Sequence, residues 1–224
     1  PACFYILTNS RSLTADATDD RGASTTSASV QVIVNAPPTV SLSSPTPNQV
    51  VTAPGSLTVT ATATDSDGTI ANVEFYQGST LLGTVTAAPY SFAWSNVPAG
   101  SYTLTAKATD DRSATTTSAP VNVIVNTPPT LDLTAPTVGQ KFTAPASIAL
   151  AVTAADADGS VVKVDYFQNG NPIGSASTAP FGYTWSNVPQ GSYTLTATTT
   201  DDRGAQTTSA PIAVTVNAAG PALG

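Results

Sequence analysis

Ten of the fourteen acidic side chains fall in two kinds of short segment. Asp65-x-Asp67-Gly68 recurs as Asp156-x-Asp158-Gly159, and an Asp-Asp-Arg run occurs three times, at Asp19-Asp20-Arg21, Asp110-Asp111-Arg112 and Asp201-Asp202-Arg203. Like charges do not gather without something to offset them. Calcium is one candidate, because it takes six to eight oxygen ligands that include carboxylates, backbone carbonyls and asparagine side chains. All ten aspartates are therefore candidate metal ligands, with Asn35 and Asn126 as further oxygen donors. Such an ion would be structural, since no base or nucleophile accompanies it. A second reading stands beside this one. Aspartate bonds to its own backbone in turns, Asp-Gly is a common turn pair, and Arg21, Arg112 and Arg203 are placed to neutralise the pairs. The spacing is not that of a twelve-residue EF-hand loop, so both readings stay open.

Other chemistry is poorly provided for. The 224 residues contain no histidine and one cysteine, Cys3. Imidazole general-base catalysis, the usual serine triad, histidine zinc ligation and an intrachain disulfide are all excluded. Paired carboxylates serve glycoside hydrolysis when one is held protonated across an open cleft, and adjacent aspartates on loop tips signal neither. No enzyme is expected. Seven Lys+Arg against fourteen Asp+Glu leave a net charge of -7, the wrong sign for a nucleic-acid grip. No apolar run approaches the length of a transmembrane helix. The Thr/Ser/Ala/Val-rich, lysine-poor composition suits an extracellular or cell-surface β-protein.

The segments that hold these loops repeat. Residues 37–126 superimpose on 128–217 at a constant offset of 91, and 46 of the 90 positions are identical. Half-identity within one chain reports a duplicated folding unit. The same offset matches residues 11–35 to the end of a unit: Leu13 falls on Leu104, Asp19-Asp20 on Asp110-Asp111, and Val32 to Asn35 on Val123 to Asn126. The expected organisation is a partial repeat at 1–35 with an irregular N-terminal segment, full repeats at 36–126 and 127–217, and a tail at 218–224.

Within a unit the apolar period is two, as in Leu57-x-Val59-x-Ala61-x-Ala63 and Tyr102-x-Leu104-x-Ala106. That is the pattern of half-buried antiparallel strands. Turn residues cut the first unit into about seven strands, near 39–43, 56–64, 70–77, 80–86, 90–94, 101–109 and 114–125. Seven short strands in about 90 residues predict an all-β, two-sheet immunoglobulin-like sandwich. Trp94 and Trp185 are expected as core aromatics. The Pro-Pro pairs at 37–38 and 128–129 make short, semi-rigid linkers.

Five stretches of the first unit carry a resemblance. They are Ala63-Thr64-Asp65-Ser66-Asp67-Gly68, Val73-Glu74-Phe75-Tyr76, Leu81-Leu82-Gly83, Ala88-Pro89-Tyr90 with Trp94, and Gly100-Ser101-Tyr102 with Ala108-Thr109-Asp110-Asp111-Arg112. With them the chain resembles the bacterial Ig-like domain family, whose modules are similar to fibronectin type III domains and occur in strings within secreted and surface proteins. The resemblance covers residues 11–217 and implies the fold, while leaving function open.

Three roles follow as expectations. The first is mechanical: a stalk, spacer or filament of repeated modules stiffened by calcium, its partners being neighbouring repeats or further copies of the chain in a homo-oligomer. The second is an adhesive module for a cell-surface glycan, and the third an accessory region of a secreted hydrolase. An exposed aromatic strip favours binding; burial of the tryptophans and most tyrosines favours the structural role. In an Ig-type sandwich both aspartate loops lie at one end, beside the incoming linker. The hairpin at 11–35 has an apolar face and no sheet of its own, and two strands alone are marginal.

Overall fold

The computed structural model describes residues 10–220. Cys3, the irregular segment ahead of Ser10 and the last four residues of the tail lie outside the described residues. All regular structure among the described residues is β-strand. The chain divides into two compact units, each centred on one copy of the repeat.

In the first copy, β5 (Thr39–Ser44), β7 (Gly55–Thr64) and β10 (Tyr90–Val97) form one sheet, ordered β10-β7-β5. The facing sheet runs β6 (Gln49–Thr52), β13 (Val121–Asn126), β11 (Gly100–Asp110), β8 (Ile70–Gln77), β9 (Thr80–Val85), with β12 (Thr115–Thr117) pairing β11. The second copy repeats this plan. One sheet holds β14 (Thr130–Ala135), β16 (Ala146–Ala155) and β19 (Tyr183–Val188). The other holds β15 (Lys141–Thr143), β22 (Ile212–Asn217), β20 (Gly191–Asp201), β17 (Val161–Gln168) and β18 (Asn171–Ala176), with β21 (Gln206–Thr208) on β20.

Each copy thus has nine strands where about seven are expected, and both additions have identifiable causes. The opening strand changes sheets. Pro45 and Pro47 interrupt its donors, Asn48 takes a left-handed φ of 60°, and its N–H finds Asn122 O at 2.8 Å. The chain then resumes as β6 on the opposite sheet. Gly139, φ 75°, does the same before β15, which pairs in parallel with β22. The closing strand breaks because Ser118 turns inward. Its Oγ accepts from Ala106 N at 3.0 Å and donates to Ala119 O at 2.9 Å, replacing the ladder bond, and Pro120 has no N–H to continue it.

Alternation delivers one face of each strand to the core. Leu57, Val59 and Ala61 on β7 meet Val73 and Phe75 on β8 and Leu104 and Ala106 on β11, all nearly inaccessible. Phe75 and its counterpart Tyr166 are the largest fully buried side chains. Phe75 stacks on Phe92 at 6.3 Å between ring centroids, and Tyr166 on Tyr183 at 5.6 Å. The tryptophans join the core from its side, Trp185 packing against the buried cluster of the second copy. Trp94 and Trp185 are only partly buried, edge-on to Tyr102 and Tyr193 at 5.1 and 5.0 Å. They belong to β10 and β19, the outer strands of the three-stranded sheets, so each indole reaches the rim of the core and not its centre.

Two short pairs precede the complete copies. β1 (Arg11–Leu13) pairs β4 (Val30–Val32), and β2 (Asp16–Thr18) pairs β3 (Ser24–Thr26). All four are exposed throughout.

Candidate functional site

The two aspartate loops of each copy do meet. Asp111 N donates to Thr69 O at 2.9 Å, and Asp202 N to Ser160 O at 2.9 Å. This stitches the Asp-x-Asp-Gly loop that follows β7 or β16 to the Asp-Asp-Arg loop that follows β11 or β20. The incoming chain arrives at the same place, through Asn35 and Ala36 in the first copy and Asn126 and Thr127 in the second.

The four carboxylates of a copy, pooled by sequence as one cluster, separate into two pairs. Asp67 and Asp110 are fully engaged. Asp67 accepts from Ala36 N at 3.2 Å and from Arg112 Nη1 at 3.4 Å, and Arg112 Nη1 also donates to the Asp67 carbonyl at 2.8 Å. Asp110 Oδ2 accepts from Asn35 Nδ2 at 2.7 Å, while its Oδ1 accepts from Arg112 N and Ala114 N at 2.9 and 2.8 Å. The second copy is tighter. Asp158 accepts from Thr127 N at 3.1 Å and from Arg203 Nη1 at 2.8 Å, and Asp201 Oδ2 accepts from Asn126 Nδ2 at 2.7 Å.

The asparagines therefore act differently from what their oxygens suggest. Asn35 Oδ1 accepts from Arg112 Nη1 at 3.2 Å and Asn126 Oδ1 from Arg203 Nη1 at 3.0 Å. Each amide bridges an arginine and an aspartate, its oxygen on the cation and its nitrogen on the anion. An amide is the one uncharged side chain with both functions at this spacing. The arginines ion-pair with Asp67 and Asp158 of the Asp-x-Asp-Gly loops and not with the aspartate pairs they follow, while Asp110 and Asp201 are held by the asparagine amides and by backbone N–H groups.

Burial of Asp110 and Asp201 opposes their negative charge. Hydrogen bonds outweigh that penalty, from Asn35, Ala114 and Arg112 to Asp110 and from Asn126, Ala205, Arg203 and Gly204 to Asp201. Both carboxyls are held below their ordinary 3.8.

Asp65 and Asp111, with Asp156 and Asp202, form the other pair. Asp65 Oδ1 takes only a long bond from Asp67 N at 3.4 Å, and Asp111 Oδ1 one from Thr69 N at 3.4 Å. Asp65 Oδ2 and Asp156 Oδ2 are inaccessible and have no protein partner. Gly68 makes room for this pair. A Cβ on Gly68 would overlap Asp111 Oδ1 and stand 2.6 Å from Asp65 Oδ2, and Gly159 has the same surroundings in Asp202 and Asp156. The glycine after the second aspartate is thus needed for the carboxylates beside it. Among the described residues, no group of three or more His, Cys, Asp or Glu side chains is arranged to hold a metal ion.

Asp19 and Asp20 lie in the turn between β2 and β3, exposed and without an Asp-x-Asp-Gly loop against them. Every described aromatic side chain is at least partly buried.

The profile of the bacterial Ig domain family matches residues 38–106 and 129–197. The chain belongs to that family. Bacterial Ig-like domains are usually extracellular or on the cell surface, and Ig-like and fibronectin III-like folds are typically non-catalytic. No curated protein matches the chain. Among solved structures, the fibronectin(III)-like modules of CbhA from Clostridium thermocellum are 29% identical over 80% of this chain and 95% of that one, with a TM-score of 0.50. Three N-terminal domains of the outer capsid protein Hoc of bacteriophage RB49 are 12% identical over 98% of this chain and 92% of theirs, TM-score 0.54. Extracellular domains 3–5 of Drosophila OTK are 13% identical over 90% and 68%, TM-score 0.53. The last two likenesses concern the fold. Tandem Ig-like domains of this kind are consistent with a structural or spacer module. No described helix is long and apolar enough to cross a membrane.

Proposed function

We propose that the chain is a length of extracellular or cell-surface stalk, a non-catalytic run of sandwiches that holds what it joins at a distance. One observation carries this reading. Each complete unit grips the chain that leads into it with the same asparagine–aspartate–arginine clasp, and in the second unit Asn126 is 1% exposed and Asp201 2%. Hydrogen bonds to ionised groups contribute about 1.5–3 kcal/mol each, so a clasped linker loses much of its freedom. Full or partial burial of both tryptophans and of every described tyrosine favours this role over an aromatic platform for glycans.

The same reading retains a hard cation in a narrower place than the sequence suggests. Asp65 with Asp111, and Asp156 with Asp202, would hold it, because Asp67, Asp110, Asn35 and their counterparts are already engaged. The orphaned Oδ2 atoms of Asp65 and Asp156 fit such a ligand. Two carboxylates and water suit a weak site, with a dissociation constant on the order of 0.1–1 mM, as in extracellular calcium modules.

Two experiments test the proposal. Small-angle scattering should give a narrower distribution of dimensions for the native chain than for the Asn35→Ala, Asn126→Ala double variant. Identical distributions would remove the clasp from the argument. Calorimetric unfolding in about 10 mM calcium against chelator should show a gain of roughly 1.4 kcal/mol for a site of about 1 mM, abolished by Asp65→Asn with Asp156→Asn. The cation is refuted by equal stability in both buffers.

A further inference from the structure

Asn126 is bonded through its carbonyl and through both ends of its side chain. The carbonyl accepts from Ala53 N at 2.8 Å, Nδ2 donates to Asp201 Oδ2 at 2.7 Å, and Oδ1 accepts from Arg203 Nη1 at 3.0 Å. The next residue adds a fourth bond, from Thr127 N to Asp158 Oδ1 at 3.1 Å. Ala53 directly follows β6 in the first copy, whereas Asp158, Asp201 and Arg203 form the acidic end of the second. All of them nevertheless belong to one compact unit. The second unit takes in Val50–Gly55, Asn96–Gly100 and the chain from Ile124 onward, so it is larger than the repeat at its centre.

The carbonyl of Asn126 and the N–H of Thr127 are two ends of a single peptide group. That group is trans and planar, so its oxygen and hydrogen point to opposite sides and cannot turn independently. Ala53 holds the plane by the oxygen, and Asp158 holds it by the hydrogen. A rotation that gives up one bond disturbs the other. The side chain depends on the same plane, because its amide reaches Asp201 and Arg203 only while the Asn126 backbone keeps its place. Arg203 closes the circuit, with Nη1 on the carbonyl and the carboxylate of Asp158 at 2.7 and 2.8 Å. Asn126 is 1% exposed, so water does not replace a partner that is lost.

β6 is the part of this circuit that opens most readily. It is four residues long, lies at the end of its sheet, and alternates between half-buried and exposed. Few buried apolar contacts mean a low free energy of local opening. Its seat on β13 is secured by Asn48 N on Asn122 O at 2.8 Å and by Ala53 N on Asn126 O. Gly55 lets the segment close, since a Cβ there would stand 3.1 Å from both Val125 and Val51.

We propose that the Asn126–Thr127 peptide group is a coupling device: pairing of β6 with β13 sets the clasp and the acidic loops of the second copy, and release of β6 loosens them. The inference deepens the stalk reading and rests on its clasp. A stalk built this way passes a local opening along the chain instead of confining it to one repeat.

Hydrogen exchange in the full chain tests the coupling. Ala53→Pro deletes the N–H that holds the Asn126 carbonyl. Exchange should quicken about tenfold at Thr127, Arg203 and Ala205, whose N–H groups bond Asp158 and Asp201. Arg112 and Ala114, held by Asp110 in the same way, should keep their native rates and so report that the first sandwich is folded. Native rates at Thr127, Arg203 and Ala205, with faster exchange at Asn48 showing that β6 has come away, overturn the proposal. A reverse arm decides the matter if Ala53→Pro unfolds the first copy. Coupling is reciprocal, so Arg203→Ala, which leaves β6 untouched, should quicken exchange at Ala53 and Asn48; unchanged rates there also overturn it. The clasp and the coupling fail separately. Unchanged scattering in the double alanine variant removes the clasp, whereas unchanged exchange with Asn126 in place removes the coupling alone.

Discussion

Replacing Asn126 by alanine removes the most buried part of the clasp without touching the strand that carries it. Two hydrogen bonds disappear: Nδ2–H to Asp201 Oδ2 at 2.7 Å and Arg203 Nη1–H to Asn126 Oδ1 at 3.0 Å. Arg203 keeps the carbonyl and carboxylate of Asp158, at 2.7 and 2.8 Å. Asp201 keeps the bonds to its Oδ1 from Arg203 N and Ala205 N. The loss therefore centres on one carboxylate oxygen left buried without its donor, which costs about 2–3 kcal/mol. For a unit of this size that lowers the melting temperature by roughly 10–20 °C. Differential scanning calorimetry reads it. Asn35→Ala is the internal comparison, because the same clasp in the first unit is partly open to water and its arginine contacts are longer, 3.2 and 3.4 Å. Its effect should be smaller. Asn126→Asp places a carboxylate against Asp201 and should be the worst of the three near neutral pH, recovering as acid neutralises one of the pair. The reasoning is refuted if Asn126→Ala shifts its unit no more than Asn35→Ala shifts the other, or if Asn126→Asp loses stability on acidification as steeply as the native chain.

Three further outcomes are expected. Because Asp110 and Asp201 have lowered folded-state pKa values, the stability they contribute is complete above their ordinary 3.8 and is lost as pH falls through the lower folded values. Urea midpoints should hold on mild acidification and drop below that point, less steeply in Asn126→Ala; an equal slope in the variant would contradict it. Ser209→Ala strands Ala197 N, which now donates to Ser209 Oγ at 3.0 Å in a buried position, and should destabilise the second unit by about 1–3 kcal/mol in urea unfolding. Gly174→Ala places a Cβ on the ring of Tyr183 and should cost roughly 1–3 kcal/mol, whereas Gly220→Ala, with open space around it, should leave the same unfolding curve unmoved.

Much of this protein is legible from one sequence because its information is local and repeated. Period-two apolar positions and turn residues specify strands, and an offset of 91 with 46 matches in 90 specifies the unit and the partial copy ahead of it. Loop chemistry also shows: the Asp-x-Asp-Gly and Asp-Asp-Arg segments do come together at the entry of each unit, as the sandwich topology requires. Two strand breaks escape a local reading. The sheet change after Ser44 depends on Asn48 finding Asn122, and the break at Ser118 on its hydroxyl replacing a ladder partner at Ala106. Both are long-range bonds.

The partition of the aspartates had to wait for the fold. Strand alternation turns Asp110, the last residue of β11, to the inward face with Leu104, Ala106 and Ala108, but Asp65 and Asp67 are the same residue type two positions apart in a loop, and nothing local separates them. Only the packed end of the sandwich decides which oxygen meets the incoming asparagine and the arginine, and which is turned inward beside a glycine. The tryptophans make the same point from the other side. Their size marks them as core residues, but position on an outer strand sets how deep they reach. Composition and period therefore determine that these chains of strands form sandwiches; the distances across the sandwich, which no single segment contains, determine what each charged or aromatic side chain does there.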